Sequence, residues 1–386
     1  MAKRINYLDG MKGWMAVIIV FTHYMLAMWP KGFVGFGSGA DGDLREYVRA
    51  GLPWSLFSNT SISLYLLFGM ISFVIVVTYR NAGNALLILQ RQACKRYFQF
   101  LFPVFAATIA AGLLYHFGIL QYEGMAEMTG SMWNRAIIPT TDHPGMMLFY
   151  SVIGIYFNNK VEFLTVLWCM HIIFIGSYLT YSVLALFGRI RYKLVCYAAF
   201  LLVAAFNPVY LIFVAGAISG ELFYCRQHKQ EGSIDRKRQG VFSFGGAALV
   251  FLGCVIGLIP GPFLPAGITL EMTYAISAFC VLSGLIFCQW LPRFLSWKWA
   301  VWLGRYLFSV ILVHIFVLYT FSFWLYRLLA DFIQDRGWLF LTVSVVSLPV
   351  VILCAVGFYR LFELPSRKFA GYVASCLIKE SGGEVG

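Results

Sequence analysis

The chain has 386 residues, of which 60% are hydrophobic and only 12% charged, with a mean hydropathy of +0.77. Soluble proteins carry about 25% charged residues, so an ordinary soluble domain is excluded and lipid is the expected solvent. The excess of 29 Lys and Arg over 17 Asp and Glu would point to nucleic acid in a soluble protein. In an apolar chain it is first a question of loop topology.

Ten apolar runs stand between charged or Pro/Gly-rich breaks, at 11–30, 62–79, 98–117, 163–187, 194–207, 209–224, 241–259, 268–289, 300–326 and 338–359. A membrane helix needs about 20 such residues. The first run carries Lys12 and His23 and lacks a small-residue cleavage site, so it reads as a retained helix rather than a cleaved signal. The run at 194–207 is short and ends at Asn207-Pro208, which suggests a tight hairpin with the next helix.

With a cytoplasmic N-terminus, most Lys and Arg fall on the inner side, among them Lys3, Arg4, Arg80, Arg91, Lys95, Arg96, Arg189, Arg236, Arg367 and Lys368. Lys31, Arg45, Arg49, Arg135, Lys160, Arg327 and Arg336 face out. That asymmetry satisfies the positive-inside rule and turns the basic excess into a topology signal, so no nucleic-acid partner is expected. The predicted fold class is an all-α integral-membrane bundle of about ten transmembrane helices with both termini cytoplasmic. It forms one domain over 1–386, ending in a short cytoplasmic tail at 371–386.

The largest outward loops are 31–61 and 118–162. Gly32, Gly35, Gly37 and Gly39 follow no strand and open no helix, so they make no dinucleotide fingerprint. Asn59-Thr60-Ser61 has the pattern of a glycosylation acceptor. Nine cysteines lack paired spacing and specify neither a disulfide framework nor a metal site.

Ionisable groups inside apolar runs are costly and therefore mark functional sites. Three histidines qualify: His23, His171 and His314. At about 1.5 Å per residue they fit one layer in the outer half of a bilayer, with His23 roughly 18 Å from the inner end of its run. Each, taken singly, reads equally well as a packing imidazole bonded to a neighbouring backbone or hydroxyl.

Lys12 and His23 are eleven residues apart, which places them on one helix face about 16 Å from each other. A cation at the mouth and a neutral imidazole deeper in one groove suit an elongated ligand with a phosphate at one end, His23 serving as general base. Lys12 reads as readily as an anchor that snorkels to the interface. A zinc site is disfavoured: no HxxxH spacing occurs and no intramembrane carboxylate is placed to orient a ligand imidazole. No GxSxG turn supports a serine triad.

Tyr7-Leu8-Asp9-Gly10-Met11-Lys12-Gly13 through Phe21-Thr22-His23-Tyr24 resembles the opening of the acyltransferase 3 family of integral-membrane O-acyltransferases. In that family Asp-Gly-Leu-Arg-Gly precedes a helix with His about eleven residues beyond the Arg. Further similar segments follow in family order: Leu67-Phe68-Gly69-Met70-Ile71-Ser72, Lys95-Arg96-Tyr97 through Pro103, and Leu167-Trp168-Cys169-Met170 with Gly176-Ser177. Gly304 through Ser309 to His314 and the closing Phe362-Glu363-Leu364-Pro365 complete the series. Three positions depart from the pattern. Lys12 stands where Arg is usual, Gln99 replaces a second Arg, and Ile173 falls where the family carries Glu.

The resemblance implies transfer of an acyl group, most often acetyl, from cytoplasmic acyl-CoA to a hydroxyl of a cell-surface or lipid-linked carbohydrate, in the cell membrane and without a metal. It assigns the catalytic roles to His23, with His314 or Ser309 polarising the thioester carbonyl, and the CoA phosphates to Lys12, Arg91, Lys95 and Arg96. Asp9, Trp168 and His171 fall toward substrate, His171 standing two residues before Ile173. Trp54, Tyr122 and Trp133 in the outward loops suit a sugar acceptor. A carrier or flippase for an amphipathic lipid-linked sugar, or a catalytically weakened binding homologue, shares the composition. The absent Glu and second Arg favour those alternatives, and the Lys12 to His23 register favours the enzyme.

Overall fold

The computed structural model describes residues 5–30, 59–140, 143–159, 161–162, 164–191, 193–229, 236–259 and 261–378. Much of the first outward loop, with Trp54 and its glycines, lies outside them. The described chain is helical and contains no strand. Nine helical runs among the described residues are long and apolar enough to cross a membrane.

The opening helix α1 (Asn6–Met28) is followed by α2 (Thr60–Arg80) and α3 (Ala85–His116). The expected second outward loop is itself largely helical. It forms α4 (Tyr122–Thr129), α5 (Met132–Ala136), α6 (Pro144–Phe149) and a π-helical stretch over Tyr150–Asn158. Next come α7 (Trp168–Phe187), α8 (Lys193–Ala205), α9 (Leu211–Lys229), α10 (Arg236–Gly257) and α11 (Leu270–Phe287). Two short helices, α12 (Trp290–Leu295) and α13 (Lys298–Gly304), make a hairpin. The chain closes with α14 (Leu307–Val317), a π-helical stretch over Leu318–Ser322, and α15 (Phe323–Ala330). After these come α16 (Arg336–Phe358), a third π-helical stretch over Tyr359–Glu363, and α17 (Leu364–Leu377).

Helix starts follow from local chemistry. Asn59, Asn84, Thr269 and Asp335 accept hydrogen bonds from the backbone N–H groups of Ile62, Leu87, Met272 and Trp338, satisfying donors that a helix N-terminus leaves orphaned. Asn59, which opens the Asn-Thr-Ser pattern, is the cap of α2.

Several boundaries differ from the hydropathy reading. The run at 98–117 becomes a helix from Ala85, so Arg91, Lys95 and Arg96 sit on its first four turns rather than in a loop. Long basic stems tolerate this by reaching toward polar surroundings. The run at 194–207 is a helix of 13 residues, about 20 Å long at 1.5 Å per residue and shorter than the roughly 30 Å of a hydrocarbon core. The run at 300–326 is divided at Arg305 and Tyr306 between α13 and α14. The final run continues through its π stretch to Leu377, so residues 371–377 of the expected tail are helical.

One seam depends on glycine. A Cβ on Gly10 would lie 1.6 Å from the Leu295 carbonyl oxygen, and one on Gly304 would lie 1.9 Å from that of Asp9. The hairpin α12–α13 is therefore in backbone contact with the first turns of α1. Overpacking an interior commonly costs about 1–3 kcal/mol, and backbone oxygens cannot rotate away as side chains do. Gly304→Ala should lower the thermal unfolding midpoint of the detergent-solubilised chain by several degrees, whereas Gly357→Ala, with open space around it, should leave it unchanged.

Candidate functional site

His23 stands five residues before the end of α1, and His314 lies in the last turn of α14. Packing of these helices brings the rings to a centroid separation of 4.9 Å, with His314 Nε2 3.1 Å from His23 Nδ1. His314 is fully buried and His23 half-buried.

The hydrogen-bond network assigns the protons. His23 Nδ1 is 2.9 Å from the Ile19 carbonyl oxygen and His314 Nδ1 is 3.0 Å from that of Val310. Carbonyls only accept, so both Nδ1 atoms carry hydrogen. His314 Nε2 must then accept from His23 Nδ1–H, which is shared with Ile19. His23 Nε2 retains its lone pair. The dyad is a base held by a second imidazole, which can accept a stronger bond once the first ring becomes a cation.

A cover of short helices sits over this pair. Trp133 on α5 places its ring 5.4 Å from that of His23 and 6.4 Å from that of Tyr319. Ser131 Oγ donates to the Leu26 carbonyl at 2.7 Å and Asn134 Nδ2 to the Ala27 carbonyl at 2.9 Å. These are carbonyls that the end of α1 leaves without intrahelical donors.

Tyr319, in the π stretch after His314, donates its hydroxyl to Asn134 Oδ1 at 2.6 Å, and its carbonyl accepts from the Gln121 N–H at 3.1 Å. Tyr122 packs on Tyr319 at 4.3 Å, and burial raises its phenol above the usual range, keeping it neutral. Beside the dyad, Tyr24 donates to Ser322 at 2.8 Å, which donates to Ser347 at 2.7 Å.

The other expected site residues are placed differently. His171 bonds through Nδ1 to the Tyr156 carbonyl at 2.8 Å, tying α7 to the π stretch at 150–158 rather than joining the dyad. Ser309, expected to polarise a carbonyl, instead donates to Glu363 at 2.6 Å. Glu363 is 1% exposed and also receives Arg367 Nη2 at 2.5 Å, so Ser309 belongs to a buried clip between α14 and the start of α17. Trp168, at the start of α7, meets Phe68 edge to face at 6.4 Å.

Lys12 Nζ donates to Asp9 Oδ1 at 3.2 Å, so the ammonium expected for phosphate and the carboxylate expected for substrate offset each other. Ala16 and Ile19, which lie between Lys12 and His23 on their common face, are buried. That face is packed against neighbouring helices, and the open groove expected along it is not formed there.

Arg96 donates through Nε and Nη2 to Ser177 Oγ at 2.9 and 2.6 Å, with its guanidinium 5.0 Å from the Phe100 ring centre. It joins α3 to α7 from within the bundle. Ile173, where the family motif carries Glu, contributes only its carbonyl, which accepts from Ser177. Arg91 and Lys95 remain half-exposed on the first turns of α3. Among the described residues no group of three or more His, Cys, Asp or Glu is arranged to hold a metal ion.

Asn134, Ser131 and Tyr319 escaped the sequence reading because each acts on a helix far away in the chain. Only their polar atoms in an apolar setting hinted at such roles. Replacing Asn134 by Ala leaves the Ala27 carbonyl and the Tyr319 hydroxyl without partners, and an orphaned buried group costs about 1–3 kcal/mol. Asn134→Ala should accelerate backbone hydrogen exchange across 121–136 while leaving exchange in α11 unchanged.

Comparison with protein-family models, with curated proteins and with solved structures finds no match to this chain.

Proposed function

We propose that this protein is a multi-pass membrane acyltransferase that moves an acyl group, acetyl in the simplest case, from cytoplasmic acyl-CoA to a hydroxyl of a carbohydrate acceptor. The observation that carries the reading is the His23–His314 dyad: a neutral imidazole whose Nε2 has no partner among the described residues and whose Nδ1–H is held by a second imidazole. Its support from the sequence is the order of motifs resembling the acyltransferase 3 family. In this reading the bundle spans the cell membrane with both termini cytoplasmic, and α8 pairs with α9 as a hairpin that restores the even number of crossings.

The chemistry needs only groups in the chain and its two substrates. His23 Nε2 takes the proton of the acceptor hydroxyl as the oxygen attacks the thioester carbonyl carbon. The carbon–sulfur bond breaks, and the departing CoA thiolate receives the proton from the imidazolium. A positioned base of this kind is worth about 10²–10⁴ in rate. His314 is a positioning residue: it holds the His23 tautomer and accepts from the imidazolium, the role that a carboxylate fills in a serine triad. Trp133 offers an aromatic face beside the base for a sugar ring. In this reading Lys95, half-exposed on α3, meets a phosphate of the donor with Arg91 on the same helix, and Arg96 fixes that helix against α7.

His23→Ala should abolish acyl transfer from radiolabelled acetyl-CoA in membranes that contain the protein at wild-type level. His314→Gln, whose amide oxygen can accept from His23 Nδ1–H, should retain measurably more activity than His314→Ala. Wild-type turnover in His23→Ala would remove the assignment.

The donor site has its own test. Lys95→Ala should raise the apparent KM for acetyl-CoA several-fold with kcat nearly unchanged, and the ratio should shrink as salt is added, because exposed phosphate contacts are screened over about 8–10 Å at physiological ionic strength.

A further inference from the structure

The hairpin α12–α13 takes no part in the chemistry above, yet it concentrates exposed tryptophan and positive charge. Helical geometry divides α13 sharply. Ala300, Leu303 and Gly304 are buried against α1, while Lys298, Trp299, Trp302 and Arg305 are exposed. At 100° per residue, Lys298, Trp302 and Arg305 fall within about 60° of one another, with the two cations about 10 Å apart along the axis and the indole between them. Neither cation has a described hydrogen bond or ion pair.

On α12 the exposed face repeats the combination with Trp290, Arg293 and Phe294. Trp297, in the turn, is exposed as well. The hairpin is not free to swing, because its backbone meets Gly10, and Gly304 meets the backbone of Asp9. Trp14 of α1 stacks on Phe294 at 5.5 Å and meets Trp299 edge on at 4.6 Å.

We infer that the 290–305 hairpin is a lipid-docking element that lies in the membrane interface and binds the phosphates of anionic phospholipid through Lys298 and Arg305, with Arg293 adding to the same field. Charge complementarity and composition select this occupant. Indole rings partition to the headgroup level, where an apolar body and a polar N–H are both satisfied. Basic side chains beside them attract anionic lipid, each worth roughly fivefold in binding near the surface. A soluble partner surface would not expose four tryptophans around cations without any acidic residue, and the hairpin contains none between Trp290 and Arg305. Because the hairpin is locked to α1, lipid bound here fixes the depth of the helix that carries Lys12 and His23. The inference rests on the bundle spanning a bilayer and is independent of the acyltransferase chemistry.

The test uses the full chain in nanodiscs of phosphatidylcholine alone or with phosphatidylglycerol added, reading backbone hydrogen exchange over 297–306 with α11 as internal reference. Phosphatidylglycerol should slow exchange in the hairpin by roughly tenfold, less than the full product of two cations at about fivefold each. Lys298→Gln combined with Arg305→Gln should erase the difference. Both side chains are exposed, so this variant should retain the wild-type elution volume and α11 exchange. Equal exchange in the two lipids would overturn the inference. Equal slowing by acetyl-CoA in pure phosphatidylcholine discs would overturn it too, assigning the cations to the soluble donor instead.

Discussion

The hydrogen bond from His23 Nδ1 to His314 Nε2 is possible only because each ring is also tied to the carbonyl one turn before it on its own helix. An imidazole that bonds its own helix is oriented before it meets any partner. Two such imidazoles on packed helices have one neutral arrangement of protons, and that arrangement leaves a single lone pair available, on His23. In a bundle so poor in charge, polar groups that are not satisfied within the protein have no water to turn to. The same demand explains why the end of α1 is covered by Ser131 and Asn134, and why Tyr319 leaves its own helix to reach Asn134.

Close backbone approach supplies the second constraint. Gly10 and Gly304 admit the α12–α13 hairpin against α1 at distances no side chain would permit. The short motif around Lys12 thereby gains a structural meaning that its charge alone does not convey: its glycines make the seam, and Asp9 pairs with Lys12 across a helical turn. Elsewhere the buried charges are spent on holding helices together. Arg80 bonds Glu221 and the Gly188 carbonyl, Arg96 bonds Ser177, and Glu363 joins Ser309 to Arg367. Breaking one member of such a set leaves a buried charge uncompensated, which is why these residues act as fasteners whatever else they do.

These assignments alter the chemistry that the sequence suggested. Ser309 and His171 are anchored to other parts of the bundle, so of the residues to which the sequence assigned chemistry only His23 and His314 are brought together. The π-helical stretch that follows α14, four residues beyond His314, shifts the register of the chain. That shift brings Tyr319 toward the cover and Ser322 toward Tyr24 and Ser347, linking the geometry of the base to that of its cover.

Composition and run length were enough to read an all-helical chain built around long apolar segments, because helix periodicity and desolvation act over neighbouring residues. His23 and His314 stood out as candidates for the same reason, being ionisable groups in apolar surroundings. Their pairing was not, since 291 residues separate them and no local pattern records which helices pack. The 32-residue length of α3, the division of the chain at Arg305, and the continuation of the last helix to Leu377 were likewise hidden. In each case a charged residue that hydropathy treats as a boundary lies inside or beside a helix whose fate its tertiary neighbours decide. Which polar atoms meet, and so which imidazole nitrogen is left to act, is a property of packing between distant segments, and only the folded bundle specifies it.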